Sequence, residues 1–220
     1  MQHVLDLVFP HRCVACEALV GRRGFCDGCA QELTTSGEGC DRCGVPREAA
    51  GTCGDCVVEP PPYRRASWAF EFGGGVQRAL HRLKFGGHDG VAADLIAALP
   101  SLPPADVNAV IPVPLHWSRR LLRGYNQAAL LASALATRLG LPVDYEVLRR
   151  VHRGRVQSRL AEVERAVNVA GLYAAARPVS GRILLVDDVM TTAATAAECS
   201  RILHGAGAES VDVWTLARVL

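Results

Sequence analysis

The sequence predicts an α/β fold with a mostly parallel sheet, preceded by a small module organised by cysteines. Two observations carry this expectation. Eight of the nine cysteines lie before residue 57, and beyond residue 61 apolar runs of strand length alternate with stretches of helical periodicity. A chain of 220 residues has room for one domain of ordinary size and a smaller module. Half of its residues are apolar, enough for a sizeable core. The expected division is 1–60 and 61–220, with Pro60, Pro61 and Pro62 as a stiff linker.

The cysteines form four C-x-x-C pairs: Cys13/Cys16, Cys26/Cys29, Cys40/Cys43 and Cys53/Cys56. A shift of 27 residues places every cysteine of the first half on one of the second, so the module is an internal repeat. Each knuckle can direct two thiolates at one tetrahedral ion, and two knuckles close a structural four-cysteine zinc site. Two zinc ions are therefore expected. Sequential pairing of knuckles is the simpler arrangement, and a crossed pairing satisfies the same spacing. Four repeats of the motif argue against a redox C-x-x-C, and without a secretion signal disulfides are disfavoured. Cys199 stands alone in a helical stretch and reads as a small buried side chain.

The second region starts with a half-buried strand in which Trp68, Phe70 and Phe72 alternate with smaller or charged residues. Helices are expected over 76–85, 91–99, 126–139 and 195–203, and strands over 107–113, 143–148, 182–186 and 211–216. Gly140 ends the third helix, with Pro142 just beyond it. The polar, arginine-rich segment 149–168 is long enough for a functional flap.

The net charge of +2 decides little. No apolar run approaches the ~20 residues that span a membrane, and the first residues lack a basic stretch followed by a long apolar one. A cytoplasmic protein without membrane insertion is the expectation. Lys84 is the single lysine among 24 cations, and the arginines cluster at Arg119, Arg120 and Arg123 and again over 149–159. Arginine forks suit phosphates.

The segment LLVDDVMTTAATAAE, residues 184–198, holds the clearest chemistry. A buried strand runs into Asp187 and Asp188, and Thr191, Thr192, Ala193, Ala194 and Thr195 lead into a helix. Backbone N–H groups and a helix N-terminus can cradle a phosphate there. Adjacent carboxylates would repel that phosphate, but they can accept from the 2′- and 3′-hydroxyls of a ribose, with magnesium nearby.

VDDVMTTAAT resembles the phosphoribosyl-pyrophosphate (PRPP) motif of type I phosphoribosyltransferases. With the cysteine pairs that begin in LVFPHRC, LKFGG, VIPVPLHWSRRLLRGYNQAALLA and VQSRLAEVERAVNVAGLY, nearly the whole chain resembles the ComF family of competence-associated proteins. The resemblance implies a phosphoribosyltransferase-like second domain. In it Asp187 and Asp188 hold the ribose and residues 191–195 the 5′-phosphate. Residues 112–120 would form the pyrophosphate loop, and 157–168 part of a mobile hood. Lys84, Arg119, Arg120, Arg123 and Arg165 become anion contacts, and magnesium accompanies PRPP. It further implies a role in DNA uptake, with single-stranded DNA and the uptake machinery as partners and Trp68, Trp117 and Tyr125 as candidates for base stacking. No residue stands out as a nucleophile or general base. Phosphoribosyl transfer to an unidentified acceptor and a zinc-stabilised adaptor without ligand are the alternatives.

One departure stands out: the family pattern has glycine where this chain has Ala193. With all three threonines and both aspartates present, a negative φ at Ala193 and a working cradle are expected. A positive φ, or a Cβ filling the pocket, would favour a relic.

Overall fold

Near-continuous apolar runs suit strands covered on both faces, and two such runs form the middle of the sheet in the computed structural model, which describes residues 11–85, 89–103, 106–115, 124–151 and 171–220. Strands β1 (Arg65–Glu71), β2 (Ala109–Pro112), β5 (Arg182–Met190) and β6 (Ser210–Arg218) form a parallel sheet in the order β1-β6-β5-β2. The short strands β3 (Leu148–Arg150) and β4 (Tyr173–Ala175) pair antiparallel beside it. Helices α1 (Asp27–Ala30) and α2 (Gly54–Val58) belong to the cysteine region. They are followed by α3 (Gly74–Phe85), α4 (Asp89–Ala97), α5 (Gln127–Leu139) and α6 (Ala194–Gly205).

Side-chain alternation along β5 divides the core into two. Leu184 and Val186 pack with α3, α4 and α5, whereas Ile183 and Leu185 pack with α6. The helices that follow the neighbouring strands β2 and β5 thus cover opposite faces. That places a topological switch point between the two strands, the location where open α/β sheets bind ligands.

The longest helix among the described residues, α5, has its limits written locally. The Asn126 side chain accepts from Ala128 N at 3.2 Å, and Gly140 ends the helix at φ 69°. Leu131 and Leu135 lie fully buried on its inner face.

Two expected elements differ. Of residues 143–148 only Val143 meets the sheet, through a parallel bridge to Val110, and β3 starts at Leu148. Strand β5 continues past Val186 to Met190, because β6 offers partners as far as Arg218. The acidic pair therefore sits within the strand.

β1 is not half-exposed: Trp68, Ala69 and Phe70 are all buried. The cysteine region covers it. Phe25 meets Phe70 edge-on at 6.0 Å, and Trp68 Nε1 donates to Gly44 O at 2.8 Å. Gly44 has φ +69°, and a Cβ there would lie 2.5 Å from Ala66 O, so this contact requires glycine. The outer edge of β1 is also occupied, since Thr35 bridges Phe70, Glu71 N donates to Thr34 O, and Ala66 N donates to Arg42 O. Cys13, Val14, Phe25 and Cys29 join the same buried cluster as Leu80, Leu83 and Leu95, so one core runs across residue 60.

Candidate functional site

Two constellations carry chemistry. In the first, the sulfurs of Cys13, Cys16, Cys26 and Cys29 lie within 4.8 Å of one another, and so do those of Cys40, Cys43, Cys53 and Cys56. Knuckles therefore pair sequentially. The separations Cys16 Sγ–Cys26 Sγ and Cys43 Sγ–Cys53 Sγ are both 3.7 Å. A tetrahedral ion with Zn–S bonds of ~2.3 Å has sulfur–sulfur edges of about 3.8 Å, whereas a disulfide needs about 2.05 Å.

Backbone N–H groups support the thiolates at matching places in the repeat. Cys26 N donates to Cys13 Sγ at 3.3 Å, and Cys53 N to Cys40 Sγ at 3.2 Å. Burial pushes the Cys29 thiol up to about 12, a cost that a coordinated dication reverses. The donor sets fit two structural zinc ions with no ligand position left open. Cys199 is fully buried on the inner face of α6, as expected of a small core side chain.

The second constellation lies at the carboxyl ends of β2 and β5. Strand alternation sends the two aspartates different ways. Asp188 turns toward α3, where Lys84 Nζ lies 2.9 Å from its Oδ2. Asp187 stands in register with Thr215 on β6. Both carboxylates line a cavity of about 220 Å³ with Lys84, Asn126, Arg150, Tyr173 and Thr195. Burial and the neighbouring Asp188 push the Asp187 carboxyl well above the usual carboxylate range. A smaller concavity of about 30 Å³ lies over the loop that leads into α6, and it shares Asp187 and Thr195 with the first.

The loop corrects one expectation. Helix α6 starts at Ala194, so Ala193 is its N-cap, and its backbone is left-handed at φ 60°, ψ 2°. The longer β5 is the reason: the chain must reverse direction between Met190 and Ala194. Alanine in this conformation costs roughly 1–2 kcal/mol. Ala193 O still accepts from Ala197 N at 2.9 Å, and no side chain caps the helix. The first N–H groups of α6 are thus left for water or an anion.

Among the residues named from sequence, the structure gathers Lys84, Asp187, Asp188 and the 191–195 loop. Arg119, Arg120, Arg123, Arg165 and Trp117 lie outside the described residues, as do most of the expected pyrophosphate loop and the whole hood segment. Trp68 is buried and bonded to Gly44, so it offers no stacking face. Tyr125 lines an adjoining groove of about 800 Å³ beside β3, with Tyr145, Arg149 and Arg150, that shares Asn126 and Arg150 with the cavity of the acidic pair.

Asn126, Tyr173 and Thr215 were not anticipated. Asn126 both caps α5 and donates to Val113 O at 2.9 Å, fixing the chain where it leaves β2. The Tyr173 hydroxyl receives Arg150 Nη1 at 3.4 Å, the guanidinium lies 5.4 Å from the ring centre, and burial pushes the phenol up to about 12.

Comparison with known proteins agrees with the first constellation and gives the chain its family. Residues 4–57 match the double zinc ribbon domain family. The DNA utilization protein YhgH of Salmonella typhi is 33% identical over 229 residues, spanning 97% of this chain and 100% of that protein. Competence protein F of Haemophilus influenzae is 30% identical, spanning 96% and 98%. Among solved structures, the orotate phosphoribosyltransferase of Aeropyrum pernix is 24% identical over 58% of each chain. Its TM-score of 0.36 is too low to carry a site assignment. Among the described residues no helix is long and apolar enough to cross a membrane. On its full-length likeness to the competence protein and its relatives, the chain belongs to the ComF family, with a double zinc ribbon over residues 4–57.

Proposed function

We propose that this protein binds PRPP, with magnesium, at the acidic loop and acts on DNA during its uptake or processing in the cytoplasm, with single-stranded DNA as its macromolecular partner. The observation that carries the ligand assignment is the convergence of Lys84, Asp187, Asp188 and Thr195 on one cavity at the switch point. The carboxylates suit ribose hydroxyls and a divalent ion, the uncapped start of α6 suits a phosphate, and the lysine suits a pyrophosphate. Names such as DNA utilization protein and competence protein among its relatives support the DNA role. The proposed division into modules stays at residue 60, although the two share a core.

The positive φ of Ala193 favours a second reading, an adaptor whose ligand site has weakened or been lost. Titration calorimetry of the zinc-loaded protein with PRPP and magnesium separates the two. Binding that disappears in the Asp187→Ala/Asp188→Ala variant, and weakens about tenfold in Lys84→Met, supports the first reading. No binding by the wild type leaves the adaptor. Anisotropy of a labelled single-stranded oligonucleotide, with and without PRPP, tests the DNA partner, and absence of binding under both conditions removes it. Release of pyrophosphate with a base or amine would establish transfer to an acceptor.

A further inference from the structure

Strand β6 is apolar along its length except at a few buried positions, and those positions are not alike. Asp212 is met by Arg64 Nη2 at 2.7 Å and by Arg65 Nε at 3.0 Å, so its charge is compensated. Thr215 is different: it is 1% exposed, and its Oγ1 has no hydrogen-bond partner. Buried hydroxyls nearly always find a partner, and those that do not mark a site completed by something else. Thr215 lines the small concavity enclosed by Asp187 and residues 189–196. Its registered neighbour across the parallel pair is Asp187.

We propose that Thr215 is a ligand-binding residue of this site. Its hydroxyl forms the floor beneath the 191–195 loop and donates to an oxygen of the phosphorylated end of a ribose 5-phosphate group seated above it. This assignment rests on the phosphoribose reading and extends it to a second strand, since the other contacts come from α3, β5 and the α6 loop. Three costs meet here in the ligand-free chain: a left-handed alanine, two adjacent carboxylates and an unsatisfied hydroxyl. A ligand carrying a phosphate and a vicinal diol relieves the last two together. The hydroxyl acts by binding, with no bond made or broken at Thr215.

The test uses full-length, zinc-loaded protein and two probes, ribose 5-phosphate and PRPP, titrated by calorimetry alongside thermal melts. Thr215→Val is expected to weaken both probes at least fivefold while leaving the ligand-free melting temperature equal or higher, because valine removes an unsatisfied polar group. Thr215→Ser is expected to retain wild-type affinity. A Thr215→Val protein with unchanged affinity would overturn the assignment and leave the phosphoribose reading intact. A wild type that binds neither probe would overturn both. If valine disrupts folding, Thr215→Ala set against Thr215→Ser gives the same comparison.

Discussion

The cysteine clusters and the acidic loop both crowd groups of like charge, yet they are built on opposite plans. Each cluster is equipped for its charge: four sulfurs within 4.8 Å of one another, N–H donors at matching places, and, at the first, Arg78 donating to Cys29 Sγ at 3.4 Å. The loop leaves its costs standing, with a strained alanine, an aspartate pushed toward neutrality and a buried hydroxyl without a partner. A structural site is completed by an ion that the fold itself needs. A ligand site keeps groups that suit its ligand better than its own stability.

The strongest way to break this contrast is to remove zinc. Structural zinc contributes roughly 10–16 kcal/mol in zinc-finger peptides, as much as or more than the ~5–15 kcal/mol that holds a typical domain together. Cys13→Ser is expected to abolish cooperative unfolding of the whole chain, because Cys13 is fully buried in the main core cluster. Cys53→Ser is expected to cost less, since the second cluster is tied to the sheet chiefly by hydrogen bonds from Trp68 and Ala66 and by Arg218. Thermal melts with metal analysis read both. Equal losses would mean that the two halves of the repeat are anchored alike.

A smaller effect is expected at the loop, with the opposite sign. Asp187 has a folded-state pKa above its unfolded value of about 3.9. Between those two values the folded chain holds more protons, so its stability falls as pH rises and the penalty is complete above the folded pKa. Asp187→Asn should therefore stabilise the ligand-free protein at pH 8, read as a higher melting temperature. The gain should shrink on acidification, while stabilisation by PRPP is lost. Melts from pH 8 downward, with metal analysis to follow the zinc, read this: a gain that never shrinks as the pH falls toward the unfolded value would refute the cause.

The smallest change is Ala193→Gly. Relief of the left-handed strain exceeds the added chain entropy by about 0.5 kcal/mol. Urea unfolding should show a slight stabilisation, and calorimetry a tighter fit of PRPP. A destabilised glycine variant would show that packing of the alanine methyl outweighs its strain.

How much of this was legible in the chain follows from the range of each interaction. The zinc sites were readable because C-x-x-C spacing is local, and so was the end of α5, whose Gly140 stop lies beside the helix it limits. The extension of β5 was not, since the two aspartates end the apolar pattern and only the register with residues 215–218 carries the strand onward. The φ of Ala193 was misjudged for the same reason: a longer strand leaves fewer residues for the turn. Lys84 could be singled out as the lone lysine, but its meeting with Asp188 depends on α3 packing over the sheet. Thr215 did leave a trace, as a hydroxyl in the otherwise apolar run WTLA. Tyr173 left none, being one more aromatic in an apolar stretch.

The chain that covers the outer edge of β1 has a consequence beyond packing. Residues 34–36 and Arg42, which occupy that edge, are held in place by the cysteine knuckles on either side of them. Removing the metal would free this cover and bare a strand carrying Trp68 and Phe70, with N–H and C=O groups on that edge unpaired. Such an edge recruits strands from other molecules. Zinc at these sites is therefore expected to guard against self-association, and chelation should send the protein into β-rich aggregates before it yields a dispersed unfolded chain.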